Sequence, residues 1–576
     1  MSKNTGPTRR EILLAGVGMA AMPAFSAESP DTEFVAAAND YIAKYLENNP
    51  EAATNAGDHR YDGRLSDHSE AGRARTLAVH QELLNRLDAI DPTRLQIQNQ
   101  IDYQIARNRA RSAVWNQFVL REFEWDPTQY NPGNSLYLLL ERDFAPLPDR
   151  LESLRSRLDA VPEYLHSAKA NLTNPPRIFT ETAIAQNKGT LSLVEKLTAE
   201  EAAKVPGMAD KLAPSQQRAA AALREWGEWL EKDLRPRSDR DFRLGPVLFP
   251  TKLQFTLDSE LTPHEVQKRA EAQLEMAQEA IYQTALVLVR KWAPSTDVSD
   301  MGKTVRMVLD RLAEPRPSAA DVLAKAEQDV KLATDFVRTN NLVSVPVTPL
   351  QVVPMPEFQR GVAVATCASP GPLEKRGQTF LNISPPPENW DAGQVTSFFR
   401  EYNDYMLKDL VVHEGMPGHY LQIAHANRFE APTITRSLFR SGSFVEGWAV
   451  YAERLMAERG FGGPEVRMQQ LKMWLRTIIN SLLDIGIHTQ GMTEQQAMDL
   501  MMNDGYQERS EAAGKWRRAQ LSSTQLCTYF VGASELLQFR ADYEKRHGAI
   551  RNGKAFHDRM LSFGSPAPRY LSQLMV

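Results

Sequence analysis

Between residues 30 and 340, apolar and charged positions alternate at helical spacing, and this pattern predicts a succession of amphipathic helices. Breaks fall at Asn174-Pro175-Pro176 and around Leu244-Gly245-Pro246. Thr262-Pro263-His264-Glu265 predicts a helix start, with an N-cap threonine, a proline in the first position and an acid in the first turn. Between Val343 and Pro387 the texture changes. Val343–Val353, Gly361–Cys367 and Gln378–Ile383 read as short strands, punctuated by Pro354, Pro356, Pro370, Pro372 and Pro385-Pro386-Pro387. A small, mainly antiparallel sheet is expected there. It offers either an edge to which an extended peptide adds a strand, or a brace or lid over a cleft. After Trp390 the helical pattern resumes to the end, and there is no 20–50-residue repeat or low-complexity tract. The expected architecture is mainly α. A helical region, 28–342, is followed by a small sheet and a second helical region, 343–576, with 28–576 forming one integrated domain.

Composition narrows the class without choosing within it. The 576 residues are 42% hydrophobic and 24% charged, with formal net charge −5, enough for a large core and typical of a soluble protein. Slight acidity gives no reason to expect nucleic acid or an anionic membrane as partner. The two cysteines, Cys367 and Cys527, exclude a disulfide framework; two buried free thiols are expected, though a single bridge stays open. Thr8-Arg9-Arg10 precedes a short apolar run and Ala24-Phe25-Ser26-Ala27, the pattern of a twin-arginine signal peptide over residues 1–27. It implies passage through the twin-arginine export machinery to the periplasm or beyond. The apolar run is far below the roughly 20 residues of a membrane span.

The chemistry is concentrated at His413-Glu414-Gly415-Met416-Pro417-Gly418-His419. Two neutral imidazoles and a carboxylate form a three-ligand zinc shell with a fourth position open, and an adjacent acid supplies a general base. In H-E-x-x-H the histidines share one helix face. Here they are six apart, which on a regular helix means a rotation of about 120° and a rise of about 9 Å. Pro417-Gly418 resolves this by breaking the helix over Gly415–Gly418 and looping out two residues. A coincidental His-Glu pair before a helix-ending Pro-Gly remains the alternative. Downstream, Glu446 and Glu453 stand seven apart, on one face of a predicted helix among Phe444, Trp448 and Tyr451. Two acids on an apolar face call for a compensating cation. Glu446 is the expected third metal ligand, and Glu453 is expected to orient a ligand imidazole through its other nitrogen. A helix with two solvated acids is the bland alternative. Zinc suits this shell best, although manganese or cobalt would accept the same ligands.

The heptapeptide, together with Glu446-Gly447-Trp448-Ala449, resembles the signature of the bacterial family called domain of unknown function 885. That family is similar to the gluzincin peptidases, whose third ligand is a glutamate on a second helix. Phe444-Val445-Glu446 with Glu453 also resembles the corresponding helix of the thimet-oligopeptidase branch. The likeness begins at Tyr45-Leu46-Glu47-Asn48-Asn49-Pro50-Glu51-Ala52 and Gly57-Asp58-His59-Arg60-Tyr61-Asp62. It ends at Phe556-His557-Asp558 and Gly564-Ser565-Pro566. The chain departs from the family at Tyr420, where a second histidine is usual. The resemblance implies a zincin-like fold with a cleft between helical lobes. It also picks out Asp484-Ile485-Gly486-Ile487-His488 and Arg518…Gln525…Tyr529…Gly532. Tyr529, and after it His488 oriented by Asp484, are candidate donors to a developing oxyanion. Arg518 is a candidate for holding a substrate carboxylate bidentately. A core tyrosine, a capped helix histidine and a surface ion pair are the structural alternatives.

The combined expectation is an exported zinc metallopeptidase acting on short peptides, with one Zn2+ per chain. The ligands are His413, His419 and Glu446, and Glu414 is the base. An amidase for small non-peptide amides, and a non-catalytic binding protein on the same fold, are the competing readings.

Overall fold

The computed structural model describes residues 29–575 apart from 357, 358, 360–362, 375 and 388. The twin-arginine segment lies outside the described residues. Helix makes up 71% of the structure, which settles the mainly α class. The proline signals act where expected: one helix ends at Asn171, the next begins at Arg177, and Gly245-Pro246 opens the helix Gly245–Leu257. Thr262 and Glu265 form a reciprocal capping box at the start of the 30-residue helix Pro263–Trp292.

Three strands, β1 (Leu350–Pro354), β2 (Ala365–Ala368) and β3 (Thr379–Ile383), form one sheet in the order β1-β3-β2. The pairing corrects the antiparallel expectation. β2 runs antiparallel to β3, but β1 pairs with β3 in parallel, from Leu350↔Thr379 to Pro354↔Ile383. The first strand also starts seven residues later than the apolar run suggests. Pro346 and Pro349 lack the N–H that a ladder needs, so pairing begins only beyond them. The sheet packs through Ala365, Leu381 and Ile383 against Phe398, Phe399, Met406, Leu407, Leu410 and Val411. The last four of these residues lie on the helix Asp404–Glu414, so the sheet braces the helix that carries His413 and Glu414.

On its other side, the site is held by a core in which Val412, Met416, Tyr420 and Leu421 meet Phe444, Trp448, Tyr451, Leu536 and Phe539. Ile101 and Ile105 from the N-terminal half join the same cluster. Cys367 and Cys527 are both free thiols. No helix among the described residues is long and apolar enough to cross a membrane.

Candidate metal centre

His413 and Glu414 end a helix, Asp404–Glu414, whose start is capped by the Asn403 side chain bonding the N–H groups of Tyr405 and Met406. The chain leaves the helix at Gly415 and re-enters one at His419, which opens His419–Ala426. A side chain on Gly418 would overlap the carbonyl oxygens of His413 and Val412, so only glycine permits this return over the preceding turn. The Met416-Pro417 bond is cis, and the indole N–H of Trp448 donates to the Pro417 carbonyl at 2.8 Å. This loop brings the two imidazoles together, with ring centroids 4.8 Å apart and planes at 85°.

The helix Gly442–Glu458, capped by Ser441, carries Glu446 to the same point. Oε2 of Glu446 lies 3.4 Å from Nε2 of His419 and 3.8 Å from Nε2 of His413. One ligand atom from each of the three residues falls within 4.8 Å of the others. Tetrahedral zinc at about 2.0–2.1 Å from each donor requires ligand atoms roughly 3.3–3.4 Å apart, so the set fits a single ion after small shifts. Oε2 of Glu446 is buried and accepts no well-directed hydrogen bond, as expected of a carboxylate arranged for a cation. Two turns on, Oε1 of Glu453 sits 2.5 Å from Nδ1 of His413, which leaves Nε2 turned toward Glu446 and His419. Removing this partner as Glu453→Ala should weaken zinc binding by about 10–100-fold. Competition with a chromophoric chelator measures this, and an unchanged affinity would reduce Glu453 to a packing role.

Charge at the site is markedly acidic. Burial raises the Glu414 carboxyl, the two histidines lower it, and Glu446 raises it further, for a net upward shift. Burial would also raise Glu446, but His413 and His419 outweigh it and hold that carboxyl well below the usual range. For His413 burial favours the neutral ring, yet Glu446 and Glu453 together push its pKa well above the ordinary value. Without a cation, the cluster therefore recruits protons onto imidazole; a divalent ion would satisfy the same carboxylates.

Tyr529 stands beside this group, its ring 6.4 Å from that of His413. Its helix, Cys527–His547, packs on the Glu446 helix through Gly447 and Gly532, and a side chain at Gly532 would run into the Ser443 carbonyl. Two glycines thus set how closely Glu446 and Tyr529 approach. Gly532→Val should destabilise the fold by about 1–3 kcal/mol, read as a lower denaturant midpoint. An unchanged midpoint would show that the helices can separate freely. The phenol oxygen accepts from Nη2 of Arg518 at 2.9 Å and from Nε2 of Gln525 at 3.5 Å.

The structure does not bring His488 into the group. Its Nε2 faces the carbonyls of Ser522 and Ala519 at 2.8 and 3.1 Å, its Nδ1 accepts from the Leu244 N–H at 3.4 Å, and its ring stacks on Phe249. Both nitrogens are occupied in bracing backbone. Asp484 likewise does not chiefly orient a catalytic ring. It accepts from the N–H groups of Thr524 and Cys527 and so anchors the start of the Tyr529 helix. Tyr420 turns away and donates to the Thr348 carbonyl, leaving His419 as the histidine that faces Glu446. Lys515, buried close by, escaped sequence reasoning because Lys515-Trp516-Arg517-Arg518 reads as a solvated charged run.

Two adjoining polar cavities, of about 480 and 610 Å³, share Asn55, Ser369 and Arg440 in their walls. Strand β2, the sheet edge, lines the larger through Thr366, Cys367 and Ala368, and the Cys367 backbone lies near enough to the Glu414 carboxyl to lower its pKa slightly.

The arrangement defines a mainly helical protein with a two-histidine, one-glutamate cluster and an adjacent buried acid. The model of the family described as "Bacterial protein of unknown function (DUF885)" matches residues 50–575, and the chain belongs to that family. A candidate lipoprotein of unknown function from Shewanella oneidensis shares 33% identity and a TM-score of 0.78, covering 94% of this chain and 99% of its own. A candidate lipoprotein from Colwellia psychrerythraea, 16% identical with a TM-score of 0.77, covers 95% of this chain and 99% of its own, and shares the fold. No curated protein matches the chain.

Proposed function

We propose that this chain is an exported zinc-dependent peptidase that hydrolyses amide bonds of short peptides. The observation that carries the reading is Glu414, a buried carboxyl with raised pKa, placed next to a three-residue ligand set whose first histidine is held by Glu453. A structural metal would need the ligands but not the free acid beside them. When bound, zinc would supply Lewis acidity at the scissile carbonyl. His413, His419 and Glu446 would hold it, and Glu453 fixes the His413 tautomer.

The remaining steps belong to the chain's own groups. Glu414 takes the proton of the attacking water and returns it to the departing amine nitrogen, which its burial and raised pKa favour. The Tyr529 hydroxyl accepts from Arg518 and Gln525, so its own proton is free to donate to the oxyanion developing on the substrate. The β2 edge beside Glu414 offers backbone groups to an extended substrate. Export is supported by Thr8-Arg9-Arg10 with the apolar run after it, and by the candidate-lipoprotein designation of the Shewanella relative. Metal analysis of purified protein, followed by a peptide-library digest with and without chelator, tests the reading. Stoichiometric zinc with chelator-sensitive cleavage is expected, and zinc-loaded protein that cuts no peptide in the library overturns it.

A further inference from the structure

On the helix Arg509–Leu521, Lys515 and Arg518 lie three apart and so share a face. Lys515 is only 7% exposed, yet it enters no hydrogen bond or ion pair with any described residue. Its stem is buried while its Nζ still reaches solvent, so the amine is open to an incoming anion that would offset the cost of holding its charge there. Arg518 likewise makes no direct ion pair, although Glu446 and Glu511 act on it from further off. Only its Nη2 is engaged, by Gln525 at 3.1 Å and Tyr529 at 2.9 Å, and both are neutral. Nε and Nη1 donate to no described residue, and no carboxylate among them lies within 4 Å of the guanidinium. The nearby acid Glu511 is already committed to Tyr402, at 2.8 Å, and Arg476, at 3.5 Å.

These two cations border the metal centre. Arg518 bonds Tyr529, whose ring faces His413, and the charge of Glu446 is felt at both Lys515 and Arg518. We infer that Lys515 and Arg518 together bind the free C-terminal carboxylate of a peptide, making the enzyme one that trims from the C-terminal end. Because Nη2 of Arg518 is taken, the guanidinium cannot clasp a carboxylate with both terminal nitrogens; one carboxylate oxygen falls to the free side of Arg518 and the other to Lys515. Burial, and then the charge of Arg518, push the lysine down to about 7, and an incoming carboxylate relieves both effects. Tyr529 joins the two halves of the site, with its oxygen on Arg518 and its ring against His413.

The inference rests on the peptidase reading for its biological sense, but its test does not. Calorimetric titration of the chelated, metal-free protein with N-acetyl-Ala-Ala as the free acid and as the C-terminal amide compares the two ligands without catalysis. The acid is expected to bind about 10–100-fold more tightly, the range of a charge-assisted contact. Lys515→Met and Arg518→Met should each bring the ratio to within about threefold. Binding of the acid should also take up protons near pH 8, visible as a buffer-dependent heat, and Lys515→Met should abolish that uptake. Equal binding of acid and amide by the parent protein, or no detectable binding of the acid, overturns the carboxylate site whether or not the variants fold. Cleavage of acid and amide substrates at equal rates by the zinc-loaded protein overturns it too, while leaving the peptidase reading intact.

Discussion

Glu414→Gln is expected to lower turnover by about 10²–10⁴, the contribution of a positioned general base, while zinc stays bound at one per chain. The amide keeps the shape of the side chain but cannot accept the water's proton, whereas the ligands His413, His419 and Glu446 are untouched. Loss should appear equally in kcat and kcat/KM, because proton transfer occurs only in the transition state. Without metal, the variant should melt no lower than the parent. In the metal-free protein burial outweighs the attraction of His419 and His413 and holds the Glu414 carboxyl above its usual range, so there removing its charge relieves a cost of folding. Glu446→Ala should behave in the opposite way and lose zinc outright, since two imidazoles alone leave the ion without its anionic ligand. Zinc analysis in metal-buffered solution separates the two variants. Stoichiometric zinc in Glu446→Ala at nanomolar free metal would mean that the ion is held elsewhere, and normal turnover in Glu414→Gln would remove the base.

How much of this was legible in the sequence differs from residue to residue. Pro417-Gly418 between two histidines announces the interrupted helix because the conflict is local: six-residue spacing and one metal cannot coexist on a regular helix. Glu446 and Glu453 were legible from their seven-residue interval, which fixes a shared face whatever the helix packs against. His488 was not. Spacing gives its face on the helix Gly463–Gln490 but not which neighbour that face meets, and here the neighbours are the Ser522 and Ala519 carbonyls. Lys515 was hidden for the opposite reason. A lysine beside Trp516 and two arginines resembles solvated surface, and only the packing of its helix buries it. The parallel pairing of β1 with β3 was equally out of reach, since apolar alternation sets which face is buried and says nothing of strand direction.

Tyr529→Phe is expected to lower turnover by about 10²–10³, the usual consequence of losing one oxyanion donor. The structure makes this a demanding test, because the hydroxyl does two things. It has a proton free for the substrate, and its oxygen accepts from Arg518 and Gln525. Losing the second role costs stability of about 1–3 kcal/mol, as a buried charged donor gives up a partner. It would also let Arg518 shift, which would show in KM for substrates ending in a free carboxylate. Losing the first role acts on kcat and kcat/KM alike and leaves KM nearly unchanged. Measuring both a free-acid peptide and its C-terminal amide therefore separates the effects. A fall of two orders of magnitude in kcat on both substrates assigns the hydroxyl to the oxyanion. If kcat on the amide stays within about threefold of the parent while KM for the acid rises, Tyr529 serves only to hold Arg518, and the donor must come from another group around the Glu414 carboxylate.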